Sequence, residues 1–174
     1  MRLVTPSLLL VGLAAAASGI SAQSAPEDRT TRAVRRELVL LPRYGVFDHL
    51  AFKIEKGTVT LLGQVRTASL KADAERVLEG IEGVETVVNE IEILPTSPGD
   101  DRIRLAAYRA IYRNPSLERY AILAVPPIHI IVKNGNITLE GIVDSKMDKV
   151  LASTEVRSVP GVFSVTDNLR VENP

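Results

Sequence analysis

No cysteine occurs among the 174 residues, which excludes disulfides, thiolate metal sites, thiol nucleophiles and a lipidated N-terminal Cys. Tryptophan is also missing and aromatic residues make up only 4% of the chain, thin provision for base stacking or a sugar platform. Charge of one sign is lacking as well. The 21 basic and 21 acidic side chains cancel, so no global field gathers nucleic acid or an anionic membrane, and any electrostatic partner must meet a local patch. Histidine occurs twice, as His49 and His129. Neither has a second His or a Cys at ligand spacing, so both read as ordinary polar or partly packed side chains and no metal is expected. There is no Gly-x-Ser-x-Gly elbow, and the glycines do not form a phosphate-cradling loop. Carboxylates such as Asp73, Glu75 and Glu79 are scattered along helix faces without a selected pair. The expectation is a protein that is not an enzyme, with no cofactor, no small-molecule substrate and no nucleic-acid partner.

What is present begins with an address. Arg2 is the only charge before Glu27, and Ser7 to Ile20 is an alanine-rich apolar run of about 14 residues, short of the roughly 20 that cross a bilayer as a helix. A basic start, a short apolar core and small residues after it form the secretory-signal pattern. Residues 1–22 read as a cleaved signal peptide, cut after Ala22 or alternatively after Ala25, which sends the mature chain to a bacterial periplasm; the alternative reading is an uncleaved N-terminal anchor. No later stretch is apolar enough to span.

The remainder is one pattern written twice. Gly57-Thr58-Val59-Thr60-Leu61-Leu62-Gly63-Gln64-Val65 recurs 78 residues later as Gly135-Asn136-Ile137-Thr138-Leu139-Glu140-Gly141-Ile142-Val143, and Gly83-Val84 recurs as Gly161-Val162 at the same distance. Upstream the register slips, which gives the second copy a longer connection around Ala124 to Pro127. The copies occupy residues 28–95 and 101–172, joined by a Pro- and Gly-containing linker at 96–100. Each reads helix, strand, strand, helix, strand. Phe52 and Ile54 alternate with Lys53 and Glu55, and Val59 and Leu61 with Thr58 and Thr60. Lys56-Gly57 and Asn134-Gly135 form the hairpin turns. Thr67 and Ser145 cap the second helices. In copy one that helix buries Leu70, Ala74, Val77, Leu78 and Ile81. Copy two has Asp148 and Glu155 where copy one has Leu70 and Val77, so its helix is expected to bury Val150, Leu151, Ala152 and Val156 in a different way. The fold class is α+β: two αββαβ units, each a three-stranded sheet covered on one face by two helices. Units of this size are marginal alone, so they should pack on each other.

The strand-turn-strand motif with Gly57 and Gly63, the helix after it and the close at Gly83, Val84 and Val87 resemble the BON-domain family; Gly135, Gly141, Gly161, Val162 and Val165 repeat the motif. These are glycines and core aliphatics, which speak for fold rather than chemistry. The resemblance implies an exported envelope protein of the soluble periplasmic type, tied to stress and binding phospholipid surfaces or partner proteins.

One stretch carries surplus surface character, the first helix of copy two from Asp101 to Tyr112. On a helical wheel Ile103, Ala107, Ala110 and Ile111 cover the sheet. Arg102, Arg109 and Arg113 align on another face, with Leu105, Tyr108 and Tyr112 on the flank beside it. That is what an interfacial helix presents to headgroups and upper acyl chains, so Arg102, Leu105, Tyr108, Arg109, Tyr112 and Arg113 are the candidate site on an anionic phospholipid surface. In the alternative reading the tyrosines pack against copy one, and the molecule is a periplasmic protein-interaction or holding module acting through the groove between copies or an exposed strand edge. Exposure of Tyr108 and Tyr112 would favour the first reading, and their burial between the copies the second.

Overall fold

The segment after each hairpin decides how its sheet is built, because the chain must return along a helix before it pairs again. The computed structural model describes residues 29–172; the expected signal peptide lies outside the described residues. In copy one, α1 (Arg29–Val39) precedes the hairpin β1 (His49–Glu55) and β2 (Thr58–Val65), then α2 (Ala68–Arg76), β3 (Thr86–Asn89) and β4 (Glu92–Ile93). Copy two repeats this as α3 (Pro98–Tyr112), a 3-10 turn at Glu118–Ile122, β5 (Ile128–Lys133), β6 (Asn136–Val143), α4 (Lys146–Arg157), β7 (Ser164–Asp167) and β8 (Arg170–Val171). β1 and β5 pair antiparallel with β2 and β6, whereas β3, β4, β7 and β8 lie parallel to β2 and β6. The third strand of each sheet is thus one strand in two pieces: Leu61 faces Asn89 and Gln64 faces Glu92 without a change of register.

The second helices start where the caps place them. Thr67 Oγ1 accepts from Leu70 N at 3.3 Å, and Ser145 Oγ accepts from Asp148 N at 3.1 Å. α3 starts inside the expected linker, with Ser97 as cap and Pro98 in its first turn, the position where a missing N–H costs nothing. Gly63 and Gly141 hold the hairpins at their closest approach. Their φ angles are +114° and +124°, and a Cβ would lie 2.1 Å from His49 O and 1.9 Å from Pro127 O.

Each copy has its own core. Val34, Leu38, Val59, Leu61, Leu70 and Ala74 form the first; Ile103, Ala107, Ile111, Ile130, Leu139, Ala152 and Val156 belong to the second. Copy two departs from expectation at α4. The helix is not turned to avoid Asp148; Val150 is 59% exposed, and Asp148 is buried at the position Leu70 holds in copy one. Its carboxylate accepts from Ser145 Oγ at 2.7 Å, Arg119 at 2.7 Å and the Tyr120 hydroxyl at 3.1 Å. Burial opposes ionisation, yet these hydrogen bonds and the Arg119 charge hold the carboxyl below its ordinary range. Hydrogen-bond partners supplied by the 3-10 turn make a buried acid tolerable where the repeat has leucine.

The copies pack through the segment between α1 and β1. Val46 O accepts from Ile130 N at 2.8 Å, on the outer edge of β5. Val46 and Phe47 join the core of copy two. Further along, Lys133 Nζ meets Glu92 at 2.5 Å. β5 is consequently buried from Ile128 to Val132 on both faces.

Candidate functional site

The α3 helix presents its residues in three ways. Ile103, Ala107 and Ile111 face the sheet as the wheel predicts. Arg102, Leu105, Arg109 and Arg113 point to solvent, with Leu105 49% exposed. The remaining flank is covered. Tyr112 is 7% exposed and its hydroxyl donates to Ile128 O at 2.8 Å; burial pushes its phenol well above the ordinary tyrosine range. Tyr108 is half-buried between the Tyr112 ring, centroids 4.8 Å apart, and the Phe47 ring of copy one at 6.1 Å. Tyr112 therefore leaves the candidate lipid surface and Tyr108 offers only part of its ring. A wheel drawn for one helix cannot include a neighbour that comes from 61 positions earlier in the chain, as Phe47 does for Tyr108. For the same reason the wheel leaves out Arg104, which is buried between copies with its guanidinium bonded to Asp101 and to Val132 O.

α4 lies beside α3 and adds Lys146, Met147, Val150 and Arg157 as exposed residues. The outer side of this helical layer thus mixes basic and apolar side chains, with Asp101 as the acid that pairs Arg104.

The second feature is a groove of about 740 Å³ between the copies. Leu50, Phe52 and Ile54 line one wall and Pro127, Glu140 and Ile142 the other. The two histidines, separate in sequence, meet at its end. His129 stacks on Tyr44 at 5.4 Å and stands edge-on to His49 at 6.1 Å, while His49 Nε2 lies 4.0 Å from Glu140. Among the described residues no group of three His, Cys, Asp or Glu side chains could hold a metal ion. Nor does any helix among them have the length and apolarity to cross a membrane.

Burial, then the His49 charge, push the His129 imidazole down to about 4; the carbonyls of Gly45 and Asp48 offset only part of this. Burial likewise lowers His49, against the pull of Glu140 and with the push of Arg170. A depressed histidine leaves the folded state unpenalised above pH 6.5. As pH falls from there through about 4, the unfolded chain takes up a proton that the folded chain refuses, and stability drops by roughly 2–3 kcal/mol. Buried Asp48, raised by desolvation, titrates in the opposite sense and returns a fraction at the acid end. Denaturant melts at pH 7 and near 4.5 should show this loss, and His129→Gln should shrink it; an undiminished pH dependence in that variant would place its origin elsewhere.

A model of the family described as BON domain matches residues 26–95 and again residues 100–173. The chain belongs to the BON-domain family. Its two BON domains are the two copies described above. Among curated proteins, "Osmotically-inducible protein Y" of Escherichia coli (strain K12) is 27% identical over 128 residues, covering 71% of this chain and 62% of that protein. Two solved structures of CdsD, a structural protein of the type III secretion system of Chlamydia trachomatis, are 12% and 13% identical. They cover 80% and 82% of this chain and 96% and 92% of their own, each at a TM-score of 0.28, too low to carry an inference.

Proposed function

We propose that this BON-domain protein is a non-enzymatic, exported envelope-maintenance module that rests on anionic phospholipid through the outer side of α3 and α4. The observation that carries the reading is the exposed set Arg102, Leu105, Arg109 and Arg113, continued on α4 by Lys146, Met147, Val150 and Arg157. Basic heads beside apolar side chains suit the boundary between headgroups and acyl chains. The osmotic induction named for the Escherichia coli relative supports a stress-related role, and the N-terminal secretory pattern supports the periplasm as its place.

Co-sedimentation of the purified mature protein with liposomes tests this. Binding should need anionic lipid and weaken with salt. A basic side chain near such a surface contributes about 1 kcal/mol, so Arg109→Glu with Arg113→Glu should remove at least about 2 kcal/mol, roughly a thirtyfold loss, with the melting temperature kept. Arg35→Glu with Arg36→Glu in the first BON domain should do less. Wild-type protein left in the supernatant at low salt sinks the lipid reading. The protein-interaction reading, which the covered tyrosines and the groove favour, then takes its place.

A further inference from the structure

The contact between the two BON domains uses a segment that both possess. In the first, Arg43 ties the segment to the start of α2 through Ser69 at 3.3 Å and Asp73 at 3.9 Å. The chain then crosses to the second domain, where Val46 O takes Ile130 N and Phe47 covers Tyr108. In the second domain Arg119 does the work of Arg43, bonding Asp144 and Asp148 at the start of α4. His49 and Pro127 close the two segments, each with its carbonyl against the strand glycine. Between these landmarks the second segment is two residues longer. Its apex has no neighbour to cover: Ile122 is 82% and Leu123 58% exposed. The stretch from Ala121 to Ile128 is uncharged, and at Leu123 the backbone is extended, with φ −75° and ψ 145°. An exposed apolar segment with nothing to dock on is the unused half of an interface.

The other half is on the first domain. β1 is an edge strand, paired with β2 on one side only, and the groove of about 740 Å³ runs along it. Phe52 holds the register position of Ile130, the residue whose N–H is taken by Val46 in the second domain. At Leu50 the edge meets the Tyr44 side chain and Arg35 lies over the Phe52 ring, but from Phe52 onward no strand or loop of the described residues pairs with it; the second domain has the segment without an edge.

We propose that the protein associates head to tail, with Ile122–Val125 of one molecule laid along the outer edge of β1 of the next, repeating between molecules the contact Val46 and Phe47 make within one. Straightened from the bend it forms after the 3-10 turn, the segment would satisfy edge N–H and C=O groups while Ile122 and Leu123 enter the groove between Phe52 and Ile142. Such an interface is heterologous, so each molecule keeps one free head and one free tail, and growth yields rings or open chains. The surface is separate from the outer side of α3 and α4, and the inference goes beyond the lipid reading.

Sedimentation velocity of the mature chain over a wide concentration range, without lipid, tests it. The mass should rise with concentration past the dimer. Ile122→Asp with Leu123→Asp removes the tail, and both side chains are solvent-facing, so that variant should stay monomeric with its melting temperature unchanged. Ala51→Arg, or Ile142→Arg on the opposite wall, blocks the head and should also stay monomeric. Mixed together, the tail-blocked and head-blocked chains should form a one-to-one dimer and nothing larger, since each retains the surface the other lacks. Wild-type protein that remains a monomer at several hundred micromolar overturns the proposal. So does a mixture of the two blocked variants that fails to pair, which would point to a symmetric contact or to a different partner in the groove.

Discussion

Gly141→Ala should cost the protein about 2–6 kcal/mol, the largest loss expected from adding a single methyl group at any described glycine. Two effects combine. At φ +124° a side chain is strained whatever its surroundings, a penalty of about 1–3 kcal/mol. The new Cβ would also stand 1.9 Å from Pro127 O, a backbone atom that can retreat only by pulling β5 away from β6, and overpacking of that kind costs about 1–3 kcal/mol more. Pro127 leads directly into the buried strand β5, so the second domain should lose its cooperative transition or melt far earlier. Gly63→Ala meets His49 O at 2.1 Å and should act alike on the first domain. Thermal melts of both variants check this; a melting temperature within a degree or two of wild type would mean that the hairpin absorbs a Cβ by a shift not visible in its present geometry.

Leu139→Ala should be nearly as damaging. The side chain is fully buried on β6, as Leu61 is on β2, and truncating such a leucine costs about 2–5 kcal/mol. Domains of this size hold little more than that in reserve. Leu139 is in the larger core, which Val46 and Phe47 from the first domain also brace, so the structure around its cavity should collapse less readily. Leu139→Ala is therefore expected in the upper half of the range and Leu61→Ala in the lower half. Thr60→Ala, one residue along on the opposite face, should change stability little. Chemical denaturation gives all three values, and indifference to both leucine changes would put the wrong face of the strands in the core.

What could be read from the sequence was local. The hairpin at Asn134-Gly135, the caps Thr67 and Ser145 and the alternation around Leu61 and Leu139 each depend on a few neighbouring residues, and the repeat states them twice. The strands could be placed for that reason. The same reading failed wherever a distant segment supplies the environment. Tyr108 and Tyr112 look like an exposed flank until Phe47 is set against them. His49 and His129 look solitary until the domains pack. Asp148 looks misplaced in a helix core until Arg119 and Tyr120 arrive from the extra turn. The four exposed members of the candidate lipid face, Arg102, Leu105, Arg109 and Arg113, were legible because they stay exposed among the described residues.

The reach of Val46 onto β5 also bears on how the chain comes to be folded. Ile128-His129-Ile130-Ile131-Val132 is the most apolar strand among the described residues, and its outer edge is covered by a carbonyl that belongs to the other domain. If the chain folds from its N-terminal domain onward, as domains generally do, the segment that covers this edge is in position before the strand appears. Read in the reverse order, the same two domains would release a sticky edge before anything could sheath it, inviting aggregation. In that order the first domain would act as an escort for the second, shielding the edge of its most apolar strand as it forms.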